Sequence, residues 1–237
     1  MRPALAVLAA LALAGCETTA EESARLERAA KRSQHVSEAR EPLKALLAAP
    51  PSSKVVVRGT AIVHTAEGTA AVVTVHNLTA STLRKVPILI YVKDSTGRSL
   101  YTNNQPGISV TLTSVPSVPG GGSVDWVDDQ VQAAGTPAGV FAKLGEGGGG
   151  SSPLHVSAHV SEQNASGGTV EGTVSNPTAT VEQEVVVYGV ARRGGRVTAA
   201  GRAVLTEVPA HGASHMQLFL IGDPSGAKLQ LSAAPTS

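Results

Sequence analysis

The sequence predicts an all-β protein with two tandem β-sandwich domains that follow a short helical segment. Hydrophobic residues make up 42% of the chain but aromatic residues only 3%, so a core has to be built from aliphatic side chains. Val and Thr branch at Cβ and favour strands. From Lys54 onward they recur in short runs that Gly, Pro, Asn and Ser separate. Short apolar runs bounded by turn residues indicate strands joined by tight turns.

The composition also excludes some classes of function. The formal net charge is +1 and aromatic residues are scarce, so the chain lacks the basic surface and the stacking side chains of a nucleic-acid-binding protein. We therefore expect no nucleic acid among its partners. The only cysteine, Cys16, cannot form an intramolecular disulfide.

The beginning of the chain has the pattern of an export signal. Arg2 precedes the apolar run 4–14, which has the length of a signal-peptide core and is shorter than the roughly 20 residues that a spanning helix needs. The run ends in Leu13-Ala14-Gly15-Cys16, which resembles the lipobox of bacterial lipoproteins. The resemblance implies a signal peptide over residues 1–15, cleavage before Cys16, and attachment to a membrane through acyl chains such as palmitate on that cysteine. The alternative is a buried N-terminal helix with a chance cysteine.

Glu17 bears on which membrane would hold such a lipoprotein. Many inner-membrane lipoproteins of bacteria with two membranes carry Asp after the cysteine, so the resemblance implies that Glu17 does not retain the protein there. The expected location is extracytoplasmic. It is the periplasmic face of the outer membrane in a diderm host, or the outer face of the cell membrane in a monoderm host, and the composition leaves both hosts open.

Residues 16–53 are expected to form a charged helical stalk and linker. Glu21 with Arg25, and Glu27 with Lys31, are spaced four apart with the acidic residue first, which stabilises a helix. Alternating charges over this segment predict a helix whose surface is solvated.

The end of the stalk carries a small apolar cluster. Leu43, Leu46 and Leu47 follow Pro42, which interrupts the helical pattern. We expect the last turn of the stalk to dock on the first domain. A heptad coiled coil is the alternative, but the apolar stripe is shorter than the roughly three to four heptads that it requires.

Residues 54–145 are predicted to form the first sandwich. Asp94-Ser95-Thr96-Gly97 marks a turn in which Gly supplies a positive φ. The predicted strands are Val55–His64, Thr69–His76, Arg84–Lys93, Arg98–Tyr101, Ser109–Val115, Ser123–Val127 and Gly139–Leu144.

Residues 146–153 are predicted to be a flexible linker because Gly and Ser dominate them. A phosphate-binding loop is the alternative, but such a loop needs a helix after it, whereas Pro153 and a further strand follow here. Residues 154–237 are predicted to form the second sandwich. Its predicted strands are Leu154–Ser161, Thr169–Ser175, Glu184–Arg192, Arg196–Val204, Ser214–Ile221 and Lys228–Ser232.

Three landmarks recur in the same order in the two units, which suggests an internal duplication. Six or seven short strands per unit, at this spacing, fit β-sandwiches of the immunoglobulin type. The corresponding pairs are His76-Asn77-Leu78-Thr79-Ala80 with Ser175-Asn176-Pro177-Thr178-Ala179, Gly97-Arg98 with Gly195-Arg196, and residues 118–122 with residues 208–212.

Both units resemble the FxLYD-type and related immunoglobulin-like domains of bacterial envelope proteins. The resemblance implies a scaffold with no assigned chemistry. The Phe-x-Leu-Tyr-Asp signature itself is absent. The matching residues are Val75, Asn77, Gly97, Pro119 and Gly122 in the first unit, and Gly172, Val174, Asn176, Gly195, Pro209 and Gly212 in the second.

Trp126 and the carboxylates beside it are the first candidate ligand-binding residues. Trp126 is the only tryptophan, and Asp125, Asp128 and Asp129 surround it. Trp126 is interpreted as a core residue, with an exposed platform for a glycan as the alternative. The aspartates could suggest calcium, but their spacing does not match an EF-hand loop.

The histidines are the second set of candidates. His211 and His215 straddle the turn into a strand and could approach each other as soft-metal ligands. His155 and His159 would lie about 13 Å apart on the predicted strand, from a rise of about 3.3 Å per residue. Imidazole is commonly a surface group, so we expect no metal and no cofactor.

No catalytic residue is expected. The chain contains no Gly-x-Ser-x-Gly elbow, and its single cysteine is assigned to lipid. The predicted function is that of a lipid-anchored envelope protein with a non-enzymatic structural or protein-binding role, whose partners are the membrane and another envelope protein. The alternative is a ligand-binding module for envelope glycan or metal, and an enzyme with a cleft between the two units comes third.

Overall fold

The computed structural model describes residues 19–149, 157–164 and 168–236. The fold class is confirmed, because the described chain is one helix followed by antiparallel strands arranged as two sandwiches. The expected signal peptide and Cys16 lie outside the described residues.

The helix α1 spans Thr19–Ala48 and continues through Pro42. From Ala39 onward it belongs to the same compact unit as both sandwiches. Leu43 and Leu46, three residues apart and so on one face of the helix, are buried against Leu89. Within residues 19–149, 157–164 and 168–236, no helix is both long enough and apolar enough to cross a bilayer.

The first sandwich pairs a three-stranded sheet, in the order β1-β2-β6, with a sheet built around the long strand β3. Along β3, β4 and β5 take one edge, and β7 and β8 take the other. The strands are β1 (Val55–Thr65), β2 (Gly68–Asn77), β3 (Leu83–Lys93), β4 (Ser99–Thr102), β5 (Ser114–Val118), β6 (Ser123–Asp128), β7 (Gly139–Leu144) and β8 (Gly148–Gly149).

The strand predicted over Ser109–Val115 is wrong in its first half. Val110–Leu112 forms a 3₁₀ turn, and β5 begins only at Ser114. In place of strand pairing, the side chain of Asn103 makes hydrogen bonds to the backbone groups there. Its Nδ2 donates to the carbonyls of Ile88 and Leu112 (2.9 and 2.7 Å), and its Oδ1 accepts from the Ile90 amide at 2.9 Å. One buried amide therefore satisfies backbone groups that a strand would otherwise pair.

The linker prediction also differs from the structure at its start. Gly148–Gly149 pairs with Leu83 and Arg84 of β3 as the short strand β8. A Cβ on Gly147 would lie 2.6 Å from Val86 Cγ2, so this glycine permits close packing of the backbone. Residues 150–153 lie outside the described part of the chain, and the domain boundary at 146–153 stays a prediction.

The second sandwich repeats this plan. A sheet in the order β13-β10-β9 faces a four-stranded sheet in the order β14-β12-β11-β15, with β11 as the long central strand. The strands are β9 (Ser157–Asn164), β10 (Thr169–Asn176), β11 (Glu182–Arg193), β12 (Arg196–Val208), β13 (Gly212–Phe219), β14 (Ile221–Gly222) and β15 (Lys228–Pro235).

The two sandwiches pack against each other, face to face, through the sheet β1-β2-β6 and the sheet β14-β12-β11-β15. We call this contact the junction. Successive side chains of a strand point to opposite faces, and β11 is buried on both. Val185 and Val187 face the core of the second sandwich, while Val186, Tyr188 and Val190 join the core of the first. This explains why the sequence of β11 is apolar without alternation.

Candidate functional site

Trp126 is a core residue. Its side chain is 0% exposed, and it lies on β6 opposite Val73 of β2. The indole nitrogen is buried and has no hydrogen-bond partner. A ligand cannot stack on a ring that is closed on every side, so Trp126 is not the exposed platform that was the alternative interpretation.

Asp125 joins the two sandwiches. The guanidinium of Arg192, on β11, donates from Nη1 to Oδ2 at 2.7 Å and from Nη2 to Oδ1 at 2.9 Å. The hydroxyl of Thr74 also donates to Oδ1 at 2.6 Å. Both carboxylate oxygens are therefore used within the protein, in the paired geometry that arginine gives with a carboxylate.

Asp129 makes a second ion pair across the junction, and the neighbouring Asp128 lies inside the first sandwich. Asp128 is fully buried and accepts hydrogen bonds from the Tyr101 hydroxyl at 2.7 Å and the Gln130 amide at 2.9 Å. Burial raises the pKa of Asp128 to about 6, although the hydrogen bond from Tyr101 opposes this. Asp129 pairs with Arg202 of β12 at 3.3 Å, and Arg202 also donates to the Thr111 hydroxyl.

The three aspartates therefore do not converge on an open site. Asp125 and Asp129 bind arginines of the second sandwich, and Asp128 is enclosed beside Tyr101. Burial of a carboxylate is costly unless it is paired, so Asp125 and Asp129 act in the junction and Asp128 acts within the first sandwich. Among the described residues, no group of three His, Cys, Asp or Glu side chains is placed to hold a metal ion.

The histidine candidates lie on the second sandwich. His211 occupies the turn before β13 with a φ of 49°, and its amide donates to the Thr178 carbonyl at 2.9 Å. His215 lies on β13 opposite Thr173, and both imidazoles are exposed. The backbone register places His159 on the other side of Thr173, while His155 lies outside the described residues.

Two buried asparagines repeat one hydrogen-bond pattern in the two sandwiches, although sequence reasoning gave them no role. Each side-chain amide donates to two carbonyls and accepts from the amide two residues further on. Asn77 contacts Ser81, Val118 and Thr79, and Asn176 contacts Thr180, Val208 and Thr178. The shared Asn-x-Thr spacing was the available signal.

A groove opens at one side of the junction, between β1 and the turn that joins β11 to β12. We call it the junction groove. Its volume is about 440 Å³. It runs along consecutive residues of two strands, so backbone and side chains both contribute to its walls. It is lined by Gly59, Thr60, Ala61, Ile62, Val72, Thr74, Arg192, Gly195, Arg196 and Val197.

β1 carries an unusually exposed stretch that reaches the groove at Gly59 and Thr60. Val57, Arg58, Gly59 and Thr60 are all exposed, although side chains of a strand normally alternate between a buried and a solvated face. The pairing of β1 with β2 shifts between Val57 and Gly59, which is a β-bulge. In the part of the chain that the structure describes, β1 pairs with β2 alone, so its other edge makes no strand pairing.

The opposite wall carries the charge. Arg196 is exposed, and within the described residues it has no ion-pair partner. Arg192 lies at the same groove with its charge paired to Asp125. The sequence alone did not single out either arginine, because only the packing of the two sandwiches brings them beside β1.

Known proteins add little to the interpretation of this site. The chain matches no family model and no curated protein. Among solved structures it is similar to red sea bream transglutaminase, with 11% sequence identity, a TM-score of 0.22 and coverage of 78% of this chain. The chain spans 29% of the length of that transglutaminase. A likeness this small carries no argument, so the site is interpreted from its own residues.

Proposed function

We propose that this chain is a lipid-anchored envelope protein with a non-enzymatic structural or protein-binding role. Cys16 supplies the anchor, as the resemblance of Leu13-Ala14-Gly15-Cys16 to a lipobox implies. The two sandwiches supply the body that meets a partner.

The exposed stretch of β1 is the observation that carries the binding role. A free edge strand presents unpaired amides and carbonyls, which is the surface that an incoming chain uses when it extends a sheet. Val57–Thr60 offers such an edge, and Val57 is 37% exposed. A structural role is supported by the junction, where Arg192–Asp125 and Arg202–Asp129 tie the two sandwiches into one body.

The alternative function, a module for envelope glycan or metal, loses its stacking residue because Trp126 is buried. Titration calorimetry of the full mature protein with soluble glycan fragments and with divalent metal ions addresses it directly. Saturable heat that His211→Ala or His215→Ala abolishes would favour the alternative over a protein-binding scaffold.

The anchor is tested by cell fractionation. The wild-type protein should remain with membranes after a carbonate wash and incorporate labelled palmitate. Cys16→Ser should do neither, because the variant lacks the thiol that carries the lipid. A Cys16→Ser protein that stays in the washed membrane fraction would contradict the anchor.

The binding role is tested by affinity purification of the wild-type protein from detergent-solubilised membranes after cross-linking in intact cells. At least one envelope protein should be enriched reproducibly over a tagged, unrelated lipoprotein. Recovery of nothing above that control would count against a protein-binding role.

A further inference from the structure

We infer that the junction groove binds an extended, acidic peptide segment of a partner protein, which adds to the unpaired edge of β1 as a further strand and places a carboxylate on Arg196. The inference deepens the proposed protein-binding role and rests on it.

The walls of the groove favour a peptide main chain. Gly59 has no side chain, so only its backbone can line the groove. Its neighbours Thr60, Ala61 and Ile62 line the groove as well. Because neighbouring residues of a strand point to opposite faces, a cavity lined by four consecutive residues reaches the backbone of β1. Thr74 and Val72, the register partners of Gly59 and Ala61 on β2, line it as well, so the groove lies over the junction-facing side of β1 and β2 and borders the unpaired edge of β1. An unpaired strand edge can bind another extended backbone.

The charges of the groove favour an acidic segment. Its ionisable lining side chains are Arg192 and Arg196, and both are cationic. Asp125 already holds the guanidinium of Arg192, with a hydrogen bond of 3.1 Å from Arg192 to the Gln230 side chain in addition. Arg196 therefore remains as the cation available to a ligand. Arg58, at the bulge of β1, adds a second exposed positive charge at the same edge.

The remaining lining residues suggest what accompanies the acidic side chain. Ile62, Val72 and Val197 are apolar, and Thr60 and Thr74 carry hydroxyls. An added strand points alternate side chains to opposite sides. We therefore expect aliphatic residues to alternate with Asp or Glu in the bound segment.

Selection from a display library of random eight-residue peptides tests the inference. The target is the full mature lipoprotein in detergent. Peptides that bind the wild-type protein should be enriched in alternating aliphatic and acidic residues. Arg196→Glu should weaken a selected peptide by at least roughly tenfold, since charge reversal replaces attraction with repulsion. Because Arg196 is exposed, this substitution should leave the fold intact, which its circular dichroism and melting temperature check.

Lys85→Glu is the matched control. Lys85 is an exposed cation on β3, away from the groove, with a φ of 47°. The corresponding residue of the second sandwich is Glu184, with a φ of 45°, so the backbone accepts Glu at this position. Peptide affinity should change by less than twofold in Lys85→Glu. Equal weakening in both variants would indicate general charge attraction and would overturn the inference.

Hydrogen exchange of the bound state tests strand addition itself. The amides of Val57–Thr60 should exchange more slowly when a selected peptide is bound. The inference fails if the selected peptides lack acidic residues, if they bind Arg196→Glu unchanged, or if these amides are unprotected. Protection of the same amides by self-association of the protein would also overturn it, because a second copy would then occupy the edge. Recovery of the same cross-linked partner by Arg196→Glu would leave the proposed binding role standing and exclude the groove.

Discussion

Arg192 and Asp125 form a bidentate ion pair across the junction between the two sandwiches. Arg192 lies on β11 and Asp125 on β6, and the two nitrogen–oxygen distances are 2.7 and 2.9 Å. The side chains are 23% and 18% exposed, so the pair is largely shielded from water. The two hydrogen bonds of this ion pair form only when the two sheets hold one fixed position relative to each other.

Arg192→Met should destabilise the protein by about 2 kcal/mol, the range found for hydrogen bonds to a charged group. The substitution leaves the shielded Asp125 carboxylate without its counter-charge. Urea denaturation at neutral pH measures the effect, and Asp125→Asn combined with Arg192→Met should recover part of the loss.

Arg193→Met is the matched control for that substitution. Arg193 pairs with Asp223 at 3.2 Å, but the two side chains are 50% and 63% exposed. Exposed pairs contribute about 0–1 kcal/mol, so this neighbour should matter less. Equal losses of stability at the two positions would mean that shielding in the junction is unimportant.

Asp128 should make stability depend on pH between about 4 and 6. Burial raises its pKa in the folded protein to about 6, against about 3.9 in an unfolded chain. The folded state therefore holds its proton more tightly. The associated stabilisation is complete below about pH 4 and is lost as pH rises through about 6, with a total change of about 3 kcal/mol.

Asp128→Asn removes this titration and keeps the shape of the side chain. The free energy of unfolding of the variant, minus that of the wild-type protein, should therefore increase from pH 4 to pH 7. Urea denaturation at each unit of pH gives the difference. Parallel profiles for the two proteins would show that Asp128 does not titrate in this window.

Asn77→Ala and Asn176→Ala should cost similar amounts of stability, about 2–4 kcal/mol each, because each leaves several buried backbone groups without a partner. The two asparagines make matching bonds, at 2.8 Å to Ser81 and 2.7 Å to Thr180. Asn104→Ala is a control in the first sandwich at a half-buried position. If one of the two variants were as stable as the control, the loops would not be equivalent.

The sequence predicted the strands well and the pairing of their side chains poorly. Runs of Val and Thr bounded by Gly and Pro are local signals, and Gly139–Leu144 was predicted with the bounds that the structure has. Asn103 has no comparable signal. Its role depends on a gap opposite Ile88 and Ile90, which exists only once β3, β4 and β5 are assembled.

In the candidate site, too, local signals could be read from the sequence, whereas contacts between distant segments could not. Trp126 could be assigned to the core because the only tryptophan of a largely aliphatic chain is a large apolar side chain that fills a core well. The aspartates beside it could not be assigned, because their partners Arg192 and Arg202 lie far along the chain in the second sandwich. A charge that looks solvated in the sequence can be paired by a contact between domains.

The outward face of the central strand is covered in both sandwiches, but by different elements. Tyr188 of β11 packs into the core of the first sandwich, while Leu89, at the matching place on β3, is buried under α1. The end of α1 therefore covers on the first sandwich the face that a neighbouring sheet covers on the second. The end of α1 should therefore contribute substantially to the stability of the body, although it contacts the body through few side chains.

Leu43→Ala should reduce the free energy of unfolding of the body by about 3 kcal/mol, the usual cost of truncating a buried leucine. Leu43 is 0% exposed, and the cavity would open directly over Leu89. Leu47→Ala, at a leucine in the same helix that is 56% exposed, is the matched control and should cost less than about 0.5 kcal/mol. Urea denaturation followed by the fluorescence of the buried Trp126 reports unfolding of the first sandwich in both variants. If Leu43→Ala were as stable as Leu47→Ala, the packing of α1 on β3 would not stabilise the body. The face of β3 around Leu89 would then be stable without α1.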